Sequence, residues 1–169
     1  MAKKKDTERK TNVMRLLEQA GIPYTPHFYE HEGEQEVGVG VHIAEALGQN
    51  VEQAFKTLVT RGSSGGFFVF VIPVAEELDL KKAARAVGEK SVEMIAVKEI
   101  LAVTGYVRGG CSPLGMKKPY PTVIDESCLL FDTIYLSAGK IGAQVEVPPD
   151  KLCDLLGAKT IDLIQERRR

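Results

Sequence analysis

The residues best suited to chemistry are gathered in one stretch, Gly105-Tyr106-Val107-Arg108-Gly109-Gly110-Cys111-Ser112-Pro113-Leu114-Gly115-Met116-Lys117-Lys118. Its four glycines and one proline rule out a continuous helix. The paired Gly109-Gly110 lets the backbone approach a ligand with its N–H groups uncovered, and such a turn can hold an anion or a developing oxyanion. Taken alone, a short glycine loop is more often a tight turn between strands. Cys111 offers a thiol beside those glycines, but no base accompanies it. Because cysteine is among the most buried residue types, a small core side chain is its plainer reading.

A second candidate is Lys56, a cation set between Phe55 and Thr57-Leu58 in an otherwise apolar run. Facing a cleft it would be partly desolvated and could hold an anionic group or polarise a carbonyl; facing solvent it would be an ordinary strand lysine, and the two readings weigh equally. Ser137-Ala138-Gly139-Lys140-Ile141-Gly142 forms another small-residue turn at a strand end, where a ligand hydroxyl or carbonyl could be bonded. There is no strand-to-helix GxSxG elbow, no HExxH and no Walker loop, and His27, His31 and His42 lack an acidic partner at a useful spacing, which disfavours a Ser-His-Asp hydrolase.

The elements that must position these residues follow from periodicity. Val13, Leu16, Leu17 and Ala20 recur on one helical face, so residues 12–20 are expected as an amphipathic helix stopped by Gly21 and Pro23. Residues 24–31 suggest a short edge strand placing Tyr29 and His31 on one face, followed by an acidic loop over 32–40. A short helix over 41–47 ends at Gly48, and a turn over 51–55 leads into a strand over 55–60. Ser63-Ser64-Gly65-Gly66 then makes a hairpin with 67–72, which is apolar on both faces and so expected to be central. Asp79 caps a helix burying Leu80, Ala83, Ala84 and Val87; a strand over 91–95 and a helical turn over 97–103 deliver the chain into the glycine loop. Strands are expected over 122–125, 133–137 and 143–147, making a sheet of at least six strands. A helix opening at Pro148-Pro149-Asp150 buries Leu152, Leu155 and Leu156, with a last strand over 160–164 and a solvated tail over 165–169. Helices and hairpins interleave without regular alternation, which indicates an α+β fold: a large mixed β-sheet with surrounding helices.

The 169-residue chain, 44% apolar, suits one domain over 11–165 behind a flexible basic tail over 1–10. With 22 basic against 23 acidic residues, any nucleic-acid contact must be local. The three cysteines show no CxxC spacing, which argues against a disulfide framework or zinc site and fits a reducing compartment. The N-terminus lacks an apolar signal region, and the longest apolar run, 67–72, is too short to span a membrane. A cytoplasmic protein with no cofactor and no metal is expected.

Together, Phe55-Lys56-Thr57-Leu58, Leu78-Asp79-Leu80-Lys81-Lys82, the glycine loop and Ser137-Ala138-Gly139-Lys140 closely resemble the YbaK/EbsC family over nearly the whole chain. Its members are Cys-tRNA(Pro)/Cys-tRNA(Cys) deacylases, relatives of the editing domain of bacterial prolyl-tRNA synthetases. The resemblance implies an editing-domain-like α+β fold whose pocket receives the aminoacylated 3′ end of tRNA, with the acceptor stem guided by Arg108, Lys117, Lys118 and Lys140 and prolyl-tRNA synthetase as a further partner. It implies that Lys56 and the Gly109 N–H act on the reacting ester, while Tyr29, Thr57 and Ser137 position the substrate. Gly110, Gly139 and Gln144 complete the expected substrate-binding set. In this family the substrate's own cysteinyl thiol attacks the ester, which accords with the missing triad. Close members often carry an aspartate at Gln144, a glycine at Ala138, an aromatic residue near Val39 and an aliphatic residue at Cys111. The competing functions are a Cys111-dependent thiol hydrolase and a noncatalytic module binding tRNA or a synthetase.

Overall fold

A computed structural model describes residues 10–30 and 39–166. The expected loop over 32–40 lies almost wholly outside these residues, as do His31 and most of both tails. Helix α1 (Asn12–Gln19) starts at Thr11, whose hydroxyl accepts from the Met14 N–H at 3.3 Å, and buries Val13, Met14 and Leu17. Strand β1 (Thr25–Phe28) follows, then α2 (Val39–Ala46) and a 3-10 turn (Val51–Gln53). Next come β2 (Phe55–Gly62), β3 (Phe67–Pro73), α3 (Leu80–Ala86) and β4 (Val92–Met94). A second 3-10 turn (Val97–Glu99) runs into α4 (Ile100–Thr104), after which the glycine loop crosses to β5 (Thr122–Asp125). The chain finishes with a 3-10 turn (Glu126–Leu130), β6 (Ile134–Ser137), β7 (Ala143–Val147), α5 (Pro149–Leu156) and β8 (Lys159–Ile161).

The α+β class holds, but the described strands form two sheets instead of one. Five make a mixed sheet in the order β4-β2-β3-β5-β8, and three make an antiparallel sheet in the order β1-β7-β6. The two meet where Ala54, at the mouth of β2, forms a parallel bridge with Tyr135 of β6. Strand β3 is central, as its apolar pattern requires. Val69 and Val71 point into the larger core with α1, β6, β7 and α5, while Phe70 and Ile72 point to the opposite face, under α3. Burying each such side chain stabilises the fold by about 1.5–3 kcal/mol.

In the smaller sheet the alternation is amphipathic. Ala143, Val145 and Val147 of β7 enter the core, and Gln144 and Glu146 occupy the other face. Register places Ser137 opposite Gln144, and Tyr135 and Thr25 opposite Glu146, so that face is a polar file.

Two helices bury less than their periodicity implies. Leu80 is 42% and Leu155 41% exposed, because each lies beyond the stripe that its neighbours Ala83-Ala84 or Leu152 press into the core. The last strand is Lys159–Ile161, and Ile164 lies beyond it in an isolated bridge to Leu78. Gln165, expected in a solvated tail, is tied down: its backbone N–H donates to Glu77 O at 2.9 Å and its side chain to Leu78 O at 3.2 Å.

Candidate active site

The open half of β2 determines where a ligand can sit. Strand β4 pairs only with residues 60–62, and the Ile95 N–H reaches Val59 O at 3.2 Å. All of Ala54, Phe55, Lys56, Thr57, Leu58 and Val59 line a cavity of about 420 Å³, as expected if the ligand approaches this strand edge-on. That size suits a small organic group. Apolar walls come from Ile43 of α2, Val74 beyond β3, and Met94, Ile95, Val97 and Ile100.

Lys56 supplies the cation. Burial pushes its ammonium below the ordinary value, while the carboxylates of Glu77 and Glu76 act in the opposite sense. A partly desolvated lysine interacts more strongly with an incoming anion than one in bulk water.

Gly109 reaches the cavity on a tight turn. The Gly110 N–H donates to Val107 O at 3.0 Å, closing a turn in which Gly109 takes φ 86°, a value that side-chain-bearing residues rarely adopt. The Gly109 N–H takes no part in that closing bond, and Gly109 lines the cavity. The loop is braced from behind. The Tyr106 hydroxyl donates to Leu114 O, the Lys117 N–H to Thr104 O at 3.1 Å, and the Tyr120 hydroxyl to Val103 O at 2.8 Å.

Tyr29 lies one residue past the end of β1, where its N–H still donates to Gly142 O at 3.0 Å. Burial pushes its phenol up, so it is neutral and able to donate. Ser137 and Gln144 enter side by side from β6 and β7. The cavity thus gathers Tyr29, Lys56, Thr57, Gly109, Ser137 and Gln144, drawn from segments far apart in sequence.

Two expected site residues lie outside it. Gly110 is buried, and a Cβ there would sit 3.0 Å from Lys140 Cα and 3.1 Å from Ile141 N, so its bare backbone lets two loops pack. Gly139 packs against Tyr106 and Val13, and its N–H donates to Ser137 Oγ at 3.1 Å. Of the basic residues, Arg108 lines the cavity, whereas Lys117 and Lys118 line a second one of about 280 Å³ with Met116, Tyr120 and Leu156. Gln49, unremarked in the sequence, donates from Nε2 to Gln144 Oε1 at 2.8 Å.

Cys111 does line the cavity, but burial pushes its thiol up to about 11, and among the described residues no histidine borders the site. Cys128 is fully buried and Cys153 packs beside it, both in the core as expected; their mutual hydrogen bond pushes the Cys128 thiol well up. Among the described residues no three His, Cys, Asp or Glu side chains cluster to hold a metal ion. Nor is any helix among them long and apolar enough to cross a membrane.

Residues 40–155 match the family described as the aminoacyl-tRNA editing domain. The chain belongs to the aminoacyl-tRNA editing family. It is 45% identical over 163 residues to a protein of Enterococcus faecalis, EbsC, named for a proposed Cys-tRNA(Pro)/Cys-tRNA(Cys) deacylase activity, covering 96% of this chain and 98% of that one. It is 25% identical over 156 residues to the proline–tRNA ligase of Shouchella clausii, spanning 89% of this chain and 27% of that much longer enzyme. Among solved structures, one described as a proposed trans-editing enzyme for prolyl-tRNA synthetase superposes with a TM-score of 0.75 at 29% identity, over 91% of this chain and 95% of that one. A hypothetical protein shares the fold at a TM-score of 0.82 and 22% identity, over 92% of this chain and all of the other. This editing-family chain is accordingly a deacylase acting on aminoacyl-tRNA.

Proposed function

We propose that the deacylase acts in trans on cysteinyl-tRNA, Cys-tRNA(Pro) and Cys-tRNA(Cys), with the cysteinyl thiol of the substrate as nucleophile. The observation that carries this reading is the composition of the cavity. It offers a cation, a backbone N–H and hydroxyl and amide groups, while its one thiol is held protonated by burial. Such a set binds, orients and stabilises charge, but does not attack.

In this mechanism the substrate sulfur bonds to the ester carbonyl carbon as the C–O bond to the ribose breaks. The thiol proton passes to the departing ribose oxygen, and water then opens the cyclic thioester to free cysteine. Lys56 and the Gly109 N–H stabilise the oxygen that becomes negative, and Tyr29, Thr57 and Ser137 hold the terminal adenosine and aminoacyl group. Arg108 at the cavity and Lys117, Lys118 and Lys140 beyond it steer the 3′ end and acceptor stem. Prolyl-tRNA synthetase is a fitting partner, since it would present tRNA(Pro), and the cytoplasm is the compartment where charged tRNA is found.

The test is a panel of Cys-, Ser- and Ala-charged tRNA with purified protein. Seryl and alanyl groups fit the same volume but lack the thiol, so they should be cleaved at least ~100-fold more slowly, as expected when a well-oriented internal nucleophile is lost. Equal rates on Cys- and Ala-tRNA would make water the nucleophile and sink the substrate-assisted mechanism.

A further inference from the structure

We propose that Gln49 is a positioning residue that fixes which end of the Gln144 amide faces the cavity, presenting an N–H donor to an uncharged acceptor oxygen of the bound aminoacyl-adenosine. The proposal rests on the reading that this end of the substrate occupies the cavity.

Gln49 lies just after α2, and the 3-10 turn that follows runs beside the polar face of the small sheet. Gln49 Nε2 donates to Gln144 Oε1 on that face at 2.8 Å, and Gln53 Nε2 donates to the backbone carbonyl of Thr133, just before β6, at 2.9 Å. Gln144 is only 9% exposed and lines the cavity beside Ser137. With its oxygen engaged by Gln49, the hydrogen-bonding group it has left for a ligand is its NH₂.

Gln49 Oε1 is buried and has no hydrogen-bond partner among the described residues. If both amides turned over, that oxygen would accept from Gln144 Nε2, and Gln144 Oε1 would face the ligand. The Gln49 NH₂ would then take that buried place without a partner, so one end of Gln49 is unsatisfied either way, and the arrangement that stands is the one that leaves Gln144 its NH₂ for a ligand. A neutral donor cannot pair with the substrate's ammonium group, as a carboxylate at this position would. It fits a lone pair on the ester carbonyl oxygen, which can only accept, whereas a ribose hydroxyl could pair with either end of the amide.

The experiment compares Gln49→Glu with Gln49→Met in the full-length protein, measuring kcat and KM on Cys-tRNA and melting temperature. A carboxylate at 49 can only accept, so it obliges Gln144 to donate to it and turns the Gln144 oxygen toward the ligand; methionine imposes no preference. Gln49→Glu should lose roughly tenfold or more in kcat/KM, the scale of a donor replaced by an opposed acceptor, and Gln49→Met clearly less. On a tRNA ending in 2′-deoxyadenosine, which lacks a ribose hydroxyl, the Gln49→Glu penalty should persist; a penalty that vanishes there would overturn the carbonyl as the acceptor.

Equal losses in both variants would mean that position 49 acts through packing alone and would overturn the proposal, as would wild-type or raised activity in a folded Gln49→Glu protein. If either variant unfolds, Gln144→Glu supplies the same reversal at the cavity wall and must show the same tenfold loss. Wild-type turnover in the same assay keeps the two levels apart. Without it the functional reading falls and this proposal with it; with it, a flat Gln49 series counts only against the amide orientation.

Discussion

Replacing Lys56 by methionine separates a functional cation from a structural one. Methionine keeps the unbranched stem along β2 and removes only the charge. Because burial lowers the folded-state pKa of Lys56 below the ordinary 10.5, the charged lysine costs folding free energy. That cost is fully present at pH values below the folded pKa and fades as pH rises toward and past the unfolded one. At pH 7 the variant should therefore melt at the same temperature as wild type or higher, and any gain should shrink toward pH 10.5. Activity should move the other way. A preorganised group aimed at a developing oxyanion is worth about 100- to 1,000-fold, or ~3–4 kcal/mol, which agrees with the ~4 kcal/mol of two charges 4 Å apart in a partly shielded site. Removing the ammonium also takes positive charge from a cavity proposed to admit a phosphodiester-linked substrate, so KM should rise as kcat falls. Steady-state deacylation of Cys-tRNA with thermal melts at pH 7 and 10 would check both. A kcat/KM within threefold of wild type, or an activity loss matched by a collapse in melting temperature, would refute the assignment.

Cys111→Ala should keep most deacylation activity, because a thiol pushed up to about 11 carries almost no thiolate at neutral pH; iodoacetamide labelling at position 111 should be slow for the same reason. Loss of all activity in a folded Cys111→Ala protein would revive the thiol-hydrolase reading. Glu146→Gln should flatten the acid limb of the stability curve. Burial pushes that carboxyl up, but hydrogen bonds from Thr133 at 2.6 Å and His27 at 2.9 Å prevail and hold it below the ordinary 4.5. Its stabilisation is thus present above pH 4.5 and lost as pH falls through the lower folded value, which urea midpoints between pH 3 and 7 would detect.

What the sequence determined alone was local: where chain segments start, stop and alternate. Thr11 and Asp79 cap their helices through short-range bonds to the next turn. The run 67–72 had to be a central strand because it is apolar on both faces, and the register of β7 follows from alternating small apolar and polar residues. The Gly109 turn was legible too, since positive φ is a property of one residue and its neighbours. Tertiary structure decided whatever depends on which edges and faces meet. Whether Lys56 faced solvent or a cleft was undetermined until β4 was seen to cover only the far half of β2. The described strands divide into two sheets, which meet at an isolated bridge between Ala54, just before β2, and Tyr135 of β6. At Gly110 and Gly139 glycine permits close approach without saying what approaches, and the fold brings Lys140 against one and Tyr106 against the other. Gln49 carried no signal, for its partner lies 95 residues away and an amide–amide hydrogen bond has no local pattern.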